Sequence, residues 1–129
     1  LGGIGAVSLF VAAIGIANTM MMSIYERTKE IGIMKVLGCS LGKIRDLFLL
    51  EAGFIGLSGG AIGLLLSYGI SAVINAVAGG STGYSTLSYI PLWLSVVALI
   101  FAVIIGMLAG LMPALRAMKL SALSALRNE

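Results

Sequence analysis

Residues able to do chemistry are few in this 129-residue chain, and they are crowded together. Eight Lys/Arg and five Asp/Glu all fall within Glu26–Glu51 and Arg116–Glu129. There is no His, which argues against a catalytic imidazole or a histidine-ligated metal. Cys39 is the single cysteine; it has no internal disulfide partner, and nothing near it in sequence supplies a second catalytic group. The run Gly38-Cys-Ser-Leu-Gly42-Lys43 approaches a phosphate loop, but it is one residue short and lacks the Ser/Thr after the lysine. The segment before it reads as a helix and not as a strand. Seven methionines, including Met20-Met21-Met22, suit adaptable packing better than metal binding. No catalytic residue, metal ligand or cofactor site is therefore expected, and any ATP must bind a partner.

What remains is a chain built to sit in lipid. It is 60% hydrophobic and 10% charged, with mean hydropathy +1.13; average soluble domains carry about 25% charged residues. Between the two charged blocks, Ala52 to Leu115 runs 64 residues without a charge. A soluble core of this size has no room for that much apolar surface, and disordered chains are poor in apolar residues. The expected class is an all-α membrane protein with three transmembrane helices and a short helix between the first and second.

The first span is expected over 1–24, which at ~1.5 Å per residue covers a ~30 Å hydrocarbon core with some tilt. As one helix, 52–115 would be roughly 96 Å long, so a break is expected at Gly79-Gly80-Ser81-Thr82-Gly83, with Pro91 beyond it. That leaves spans near 53–78 and 92–113. Tyr25, Tyr84, Tyr89 and Trp93 sit near the ends of these spans, where amphipathic aromatics favour the interface. Five Lys/Arg lie in 26–51, three in the 116–129 tail and none in 79–91. Cationic loops stay cytoplasmic, so 26–51 and the tail are expected inside, the N-terminus of the segment outside. The opening within an apolar run, without a Met or a preceding basic residue, reads as the C-terminal piece of a longer protein.

Small residues are spaced for close helix contact. Gly56, Gly60 and Gly63, and separately Gly106 and Gly110, recur four residues or one turn apart on a face, where backbones can approach. Asn18 and Asn75 lie within spans and are expected to hydrogen-bond a neighbouring helix. Glu51, at a boundary, is expected to snorkel or to form a salt bridge. No charge lies deep in a span, which argues against an ion or substrate path there.

The segment 26–51 is the most informative. Ile31, Ile33, Met34, Val36 and Leu37 cover more than half the circumference of a short helix closed by Gly38. Such a helix should be covered on more than one side, by membrane or neighbouring helices and by a protein partner; an interfacial helix lying in the headgroups is the bland alternative. Ser40 is placed to cap the following helix, in which Leu41, Ile44 and Phe48 form one stripe leading into the second span.

These residues resemble a known family. Ala17-Asn18-Thr19-Met20, then Glu26 to Ser40 (ERTKEIGIMKVLGCS), then Phe48-Leu49-Leu50-Glu51-Ala52, Gly59-Gly60-Ala61-Ile62-Gly63, Pro113-Ala114-Leu115-Arg116-Ala117 and the final Ala125-Leu126-Arg127-Asn128-Glu129 are similar to FtsX-like, MacB-type permeases of ATP-binding-cassette transporters. Met34 stands where a basic residue is usual, and Cys39 where a small alanine is common. The resemblance spans essentially the whole chain, so 1–129 is expected to be one FtsX-like transmembrane domain.

Such permeases have four membrane helices, with a large outer domain between the first and second; this chain looks like helices two to four. The resemblance implies that Glu30, Ile31, Ile33, Met34, Lys35 and Leu37 belong to a coupling helix that docks on an ATP-binding subunit. It also implies a second permease copy, an extracytoplasmic adaptor and membrane lipid as partners, with no nucleic acid and no cofactor, in a bacterial inner membrane. The function implied is coupling of a partner's ATP hydrolysis to antibiotic or peptide efflux, lipoprotein release or mechanotransmission, the chain itself not being the enzyme. The competing class is a self-contained carrier or scaffold without an ATPase.

Overall fold

A computed structural model describes residues 2–82 and 87–119, the side chains of 79–82 excepted. The described residues form helices only: α1 (Gly2–Glu26), α2 (Thr28–Val36), α3 (Leu41–Thr82) and α4 (Leu92–Lys119). Three of them, α1, α3 and α4, are long and apolar enough to cross a membrane. Their side chains face outward along most of their length: Phe10, Phe54, Leu65, Val77 and Met112 are each about two-thirds exposed or more. Only lipid makes that surface tolerable for helices of this composition.

α1 passes into α2 with a single intervening residue. Arg27 takes φ −99°, ψ 16°, and the backbone bonds continue across it, from Arg27 N–H to Ser23 and from Ile31 N–H to Arg27. The Thr28 hydroxyl donates to the carbonyls of Ile24 (3.0 Å) and Tyr25 (2.8 Å). A hydroxyl turned back on the preceding turn competes with the backbone ladder and bends a helix.

α2 stops as expected at Gly38, which has φ +82°. Cys39 N–H bonds to the Met34 carbonyl and Gly38 N–H to that of Lys35, the paired bonds that close a helix on a left-handed residue. α3 then begins at Leu41 and runs unbroken through Glu51 into the apolar stretch. Its 42 residues reach about 63 Å, roughly twice the hydrocarbon thickness. The surplus includes the charged lead-in carrying Lys43, Arg45 and Asp46. Where a break was expected over 79–83, α3 continues to Thr82; Gly83 and Tyr84 lie outside the described residues.

α3 and α4 form an antiparallel hairpin tied at the end remote from the charges. Asn75 Nδ2 donates to the Ser88 carbonyl, and its Oδ1 accepts from the N–H groups of Leu87 and Ser88. Ser71 donates to the Ser88 carbonyl (3.1 Å) and lies 2.9 Å from its hydroxyl. Tyr68 Oη and Ser95 Oγ are 2.7 Å apart. The Asn75 amide thus bonds the chain entering α4 and not the side of a helix.

The charged end holds the core. Met20 and Ile24 of α1, Ile31 of α2, Ile44, Phe48 and Ala52 of α3, and Ala114 and Ala117 of α4 bury one another. Ile44 and Phe48 supply the expected stripe of α3, while Leu41, at its first turn, stays half exposed. Pro113 lies inside α4 without ending it. Proline removes one ladder bond, but the turns beyond it carry Ala114 and Ala117 into the core and so persist to Lys119.

Candidate functional site

At about 100° per residue, α2 divides into two apolar faces. The inner one carries Ile31 and Gly32, both buried, with Thr28, Met34 and Lys35 half-buried beside them. The outer one carries Ile33, Val36 and Leu37, which are 45%, 64% and 80% exposed, rimmed by the exposed Lys29 and Glu30. A nine-residue helix with three adjacent aliphatic side chains bare on one face has no packing reason to keep them. Burying each would stabilise a contact by about 1.5–3 kcal/mol.

Several links hold this face in position. Ile31 anchors α2 in the core. Met34 and Cys39, the two residues whose backbones close the helix, both pack against that core, a hydrophobic contact that commonly accompanies this closure. Lys35 Nζ donates to the carbonyls of Ala117 (3.2 Å) and Met118 (2.8 Å). Those carbonyls belong to the last described turn of α4, and a charged donor makes the stronger kind of hydrogen bond to such oxygens. Desolvation lowers the Lys35 pKa from the ordinary lysine value. Behind α2, Arg27 and Glu51 lie 3.7 Å apart, and the Ser23 hydroxyl is 3.5 Å from the same carboxylate.

Of the residues expected on a partner-facing helix, Glu30, Ile33 and Leu37 share the outer face, Met34 lies at its edge, and Ile31 and Lys35 point inward. Val36 joins the outer face and was legible only as part of the apolar ring. Among the described residues no group of three or more His, Cys, Asp or Glu could hold a metal ion.

The small residues resolve into one seam. Ala52, Gly56 and Gly60 of α3 lie against Gly110, Gly106 and Ala102 of α4, in antiparallel order. A Cβ added at Gly56 would strike the Ala102 carbonyl, one at Gly110 the Ala52 methyl, and one at Gly60 would come 2.7 Å from the Ala102 Cβ. Gly59 and Gly63 face open space, so the second half of the expected stripe lies off the seam. Asn18 is exposed on α1.

The family model described as FtsX-like permease C-terminal matches residues 2–122. An ABC transporter permease of Bacillus subtilis, YtrF, is 41% identical over 98% of this chain and 31% of its own length. An ABC transporter permease of Methanocaldococcus jannaschii is 44% identical over 98% of this chain and 32% of its own length. The macrolide export ATP-binding/permease protein MacB of Acinetobacter baylyi is 39% identical over 98% of this chain and 18% of its own length. The chain thus spans about a third or less of these relatives.

Proposed function

This chain belongs to the FtsX-like permease family, and on that premise we propose that it is the transmembrane part of an ABC transporter permease driven through α2 by an ATP-binding subunit. The observation that carries the reading is the bare Ile33–Val36–Leu37 face on a helix fused to one span and closed tightly before the next. A docked ATPase would cover that face, with Lys29 and Glu30 at the rim. Ile31, Met34 and Lys35 would then pass the partner's displacement inward, to the core and to α4.

The orientation follows from charge. The cations from Arg27 to Arg45 and the described Arg116 and Lys119 stand at one end of the three spans, and the connection from 79 to 91 has no Lys or Arg; we read α2 as cytoplasmic on that account. The protein would sit in a bacterial inner membrane beside a second permease copy, with an adaptor outside. Its work would be efflux of an antibiotic or peptide, or release of a lipoprotein, with mechanical transmission to the outer part of the permease.

The test uses the full-length permease and its ATPase. Leu37→Asp and Ile33→Asp should each weaken co-purification about ten- to a hundredfold while membrane insertion persists, and Tyr89→Asp at the far end should not. Binding and ATP turnover equal to wild type in both α2 variants would remove the docking assignment and leave an interfacial helix.

A further inference from the structure

We propose that Lys35 is a positioning residue that clamps the last turns of α4 to α2, making the end of α4 move with the coupling helix, and that Pro113 is the hinge about which it moves. The inference rests on the coupling-helix reading and adds α4 to the path.

Two independent observations meet here. Pro113 is buried within α4 and has no N–H to give the carbonyl of Ala109, so the ladder is interrupted one turn before the segment that Lys35 grips. Beyond that interruption, Ala114 and Ala117 are fully buried in the core they share with α1, α2 and α3, and the Lys35 ammonium holds the carbonyls of Ala117 and Met118. This link joins residues 82 and 83 positions apart. Before Pro113, α4 is locked to α3 by the Gly56–Gly106 and Ala52–Gly110 contacts. The helix therefore packs on α3 on both sides of the proline, and beyond it the Lys35 ammonium adds a direct link to α2. A displacement of α2 has a route into the end of α4 that bypasses both covalent connections of α2.

Arginine keeps the charge and the donors; methionine keeps the length and removes both. Spin labels at Leu47 of α3 and Arg116 of α4, both exposed, report the position of the α4 end in the full-length permease with its ATPase. Wild type should give a narrow distance distribution that shifts between the nucleotide-free and vanadate-trapped states. Lys35→Met should give a broadened distribution that no longer follows nucleotide. Its ATP turnover should fall roughly tenfold, the scale of losing a hydrogen bond from a charged donor, with affinity for the ATPase unchanged. Lys35→Arg should restore both. Should Lys35→Met not fold, Lys35→Gln, a neutral donor, carries the same test.

A Lys35→Met or Lys35→Gln permease with wild-type distances and turnover would overturn the clamp. Failure of the wild-type permease to bind its ATPase would instead overturn the docking reading. The breadth of the nucleotide-free distribution would still decide whether Lys35 fastens α4.

Discussion

Gly56 and Gly106 meet backbone against backbone: a Cβ built on Gly106 would lie 3.0 Å from the Gly56 Cα and 2.6 Å from the Ala52 carbonyl oxygen. Nothing larger than hydrogen fits between these two helices at that level, so the α3–α4 hairpin depends on both residues being glycine.

Gly106→Leu should force α3 and α4 apart and lower stability by about 1–3 kcal/mol or more, the range for overpacking a filled contact. Gly63→Ala, at a position facing open space, should be neutral or slightly favourable through helix propensity. Thermal unfolding of both variants in one detergent decides the matter; equal losses would mean that glycine content and not the seam is what counts.

Asn75→Leu should loosen the entry to α4. The amide makes three hydrogen bonds to Leu87 and Ser88, and each is worth about 0.5–1.5 kcal/mol net. The expected result is faster protease cleavage near residue 87, with little change at the α2 end. Ser71→Ala should show the same pattern more weakly.

Gly38→Val should destabilise the α2 terminus by about 1–2 kcal/mol, since a β-branched residue at φ +82° meets the steric cost of left-handed backbone. The readout is hydrogen exchange of the Gly38 position and Cys39 amides, which bond to Lys35 and Met34. Protection as slow as in wild type would show that the closure does not depend on glycine.

Tyr89→Cys, at an 80% exposed position, should react with an impermeant thiol reagent added to intact cells, while native Cys39 should not. Labelling of Cys39 alone would reverse the orientation and take the docking proposal with it.

Much of this architecture was legible because it depends on long runs. Uncharged stretches mark the three spans, and Gly38 followed by Cys39 marks the end of α2, since only a left-handed residue closes a helix that way. Details set by tertiary contact were not. The apolar ring of α2 contains no strip that names its inner side; Ile31 is inward only because Met20, Phe48 and Ala117 are there to receive it. Lys35 was expected on the partner-facing coupling helix, and its partners are carbonyls 82 and 83 residues away, which no local pattern announces. Gly56 and Gly63 share a face by spacing, yet only Gly56 meets α4, because the small residues opposite run from Ala102 to Gly110. The third span was expected near 92–113, and α4 continues past Pro113 to Lys119 because burial of the alanines after it outweighs the lost ladder bond.

The junction at Arg27 imposes a constraint of phase. One residue separates α1 from α2, and backbone bonds bridge it, so the azimuth of Met20 on the first helix dictates the azimuth of Ile31 on the second. A single inserted or deleted residue between Tyr25 and Thr28 would turn α2 by about 100°, swinging Ile31 out of the core and presenting a different set of side chains to any partner. Substitutions along this stretch alter one contact at a time, whereas a change of length by one rewrites all of them together. The stretch is therefore expected to vary in composition and hold its count.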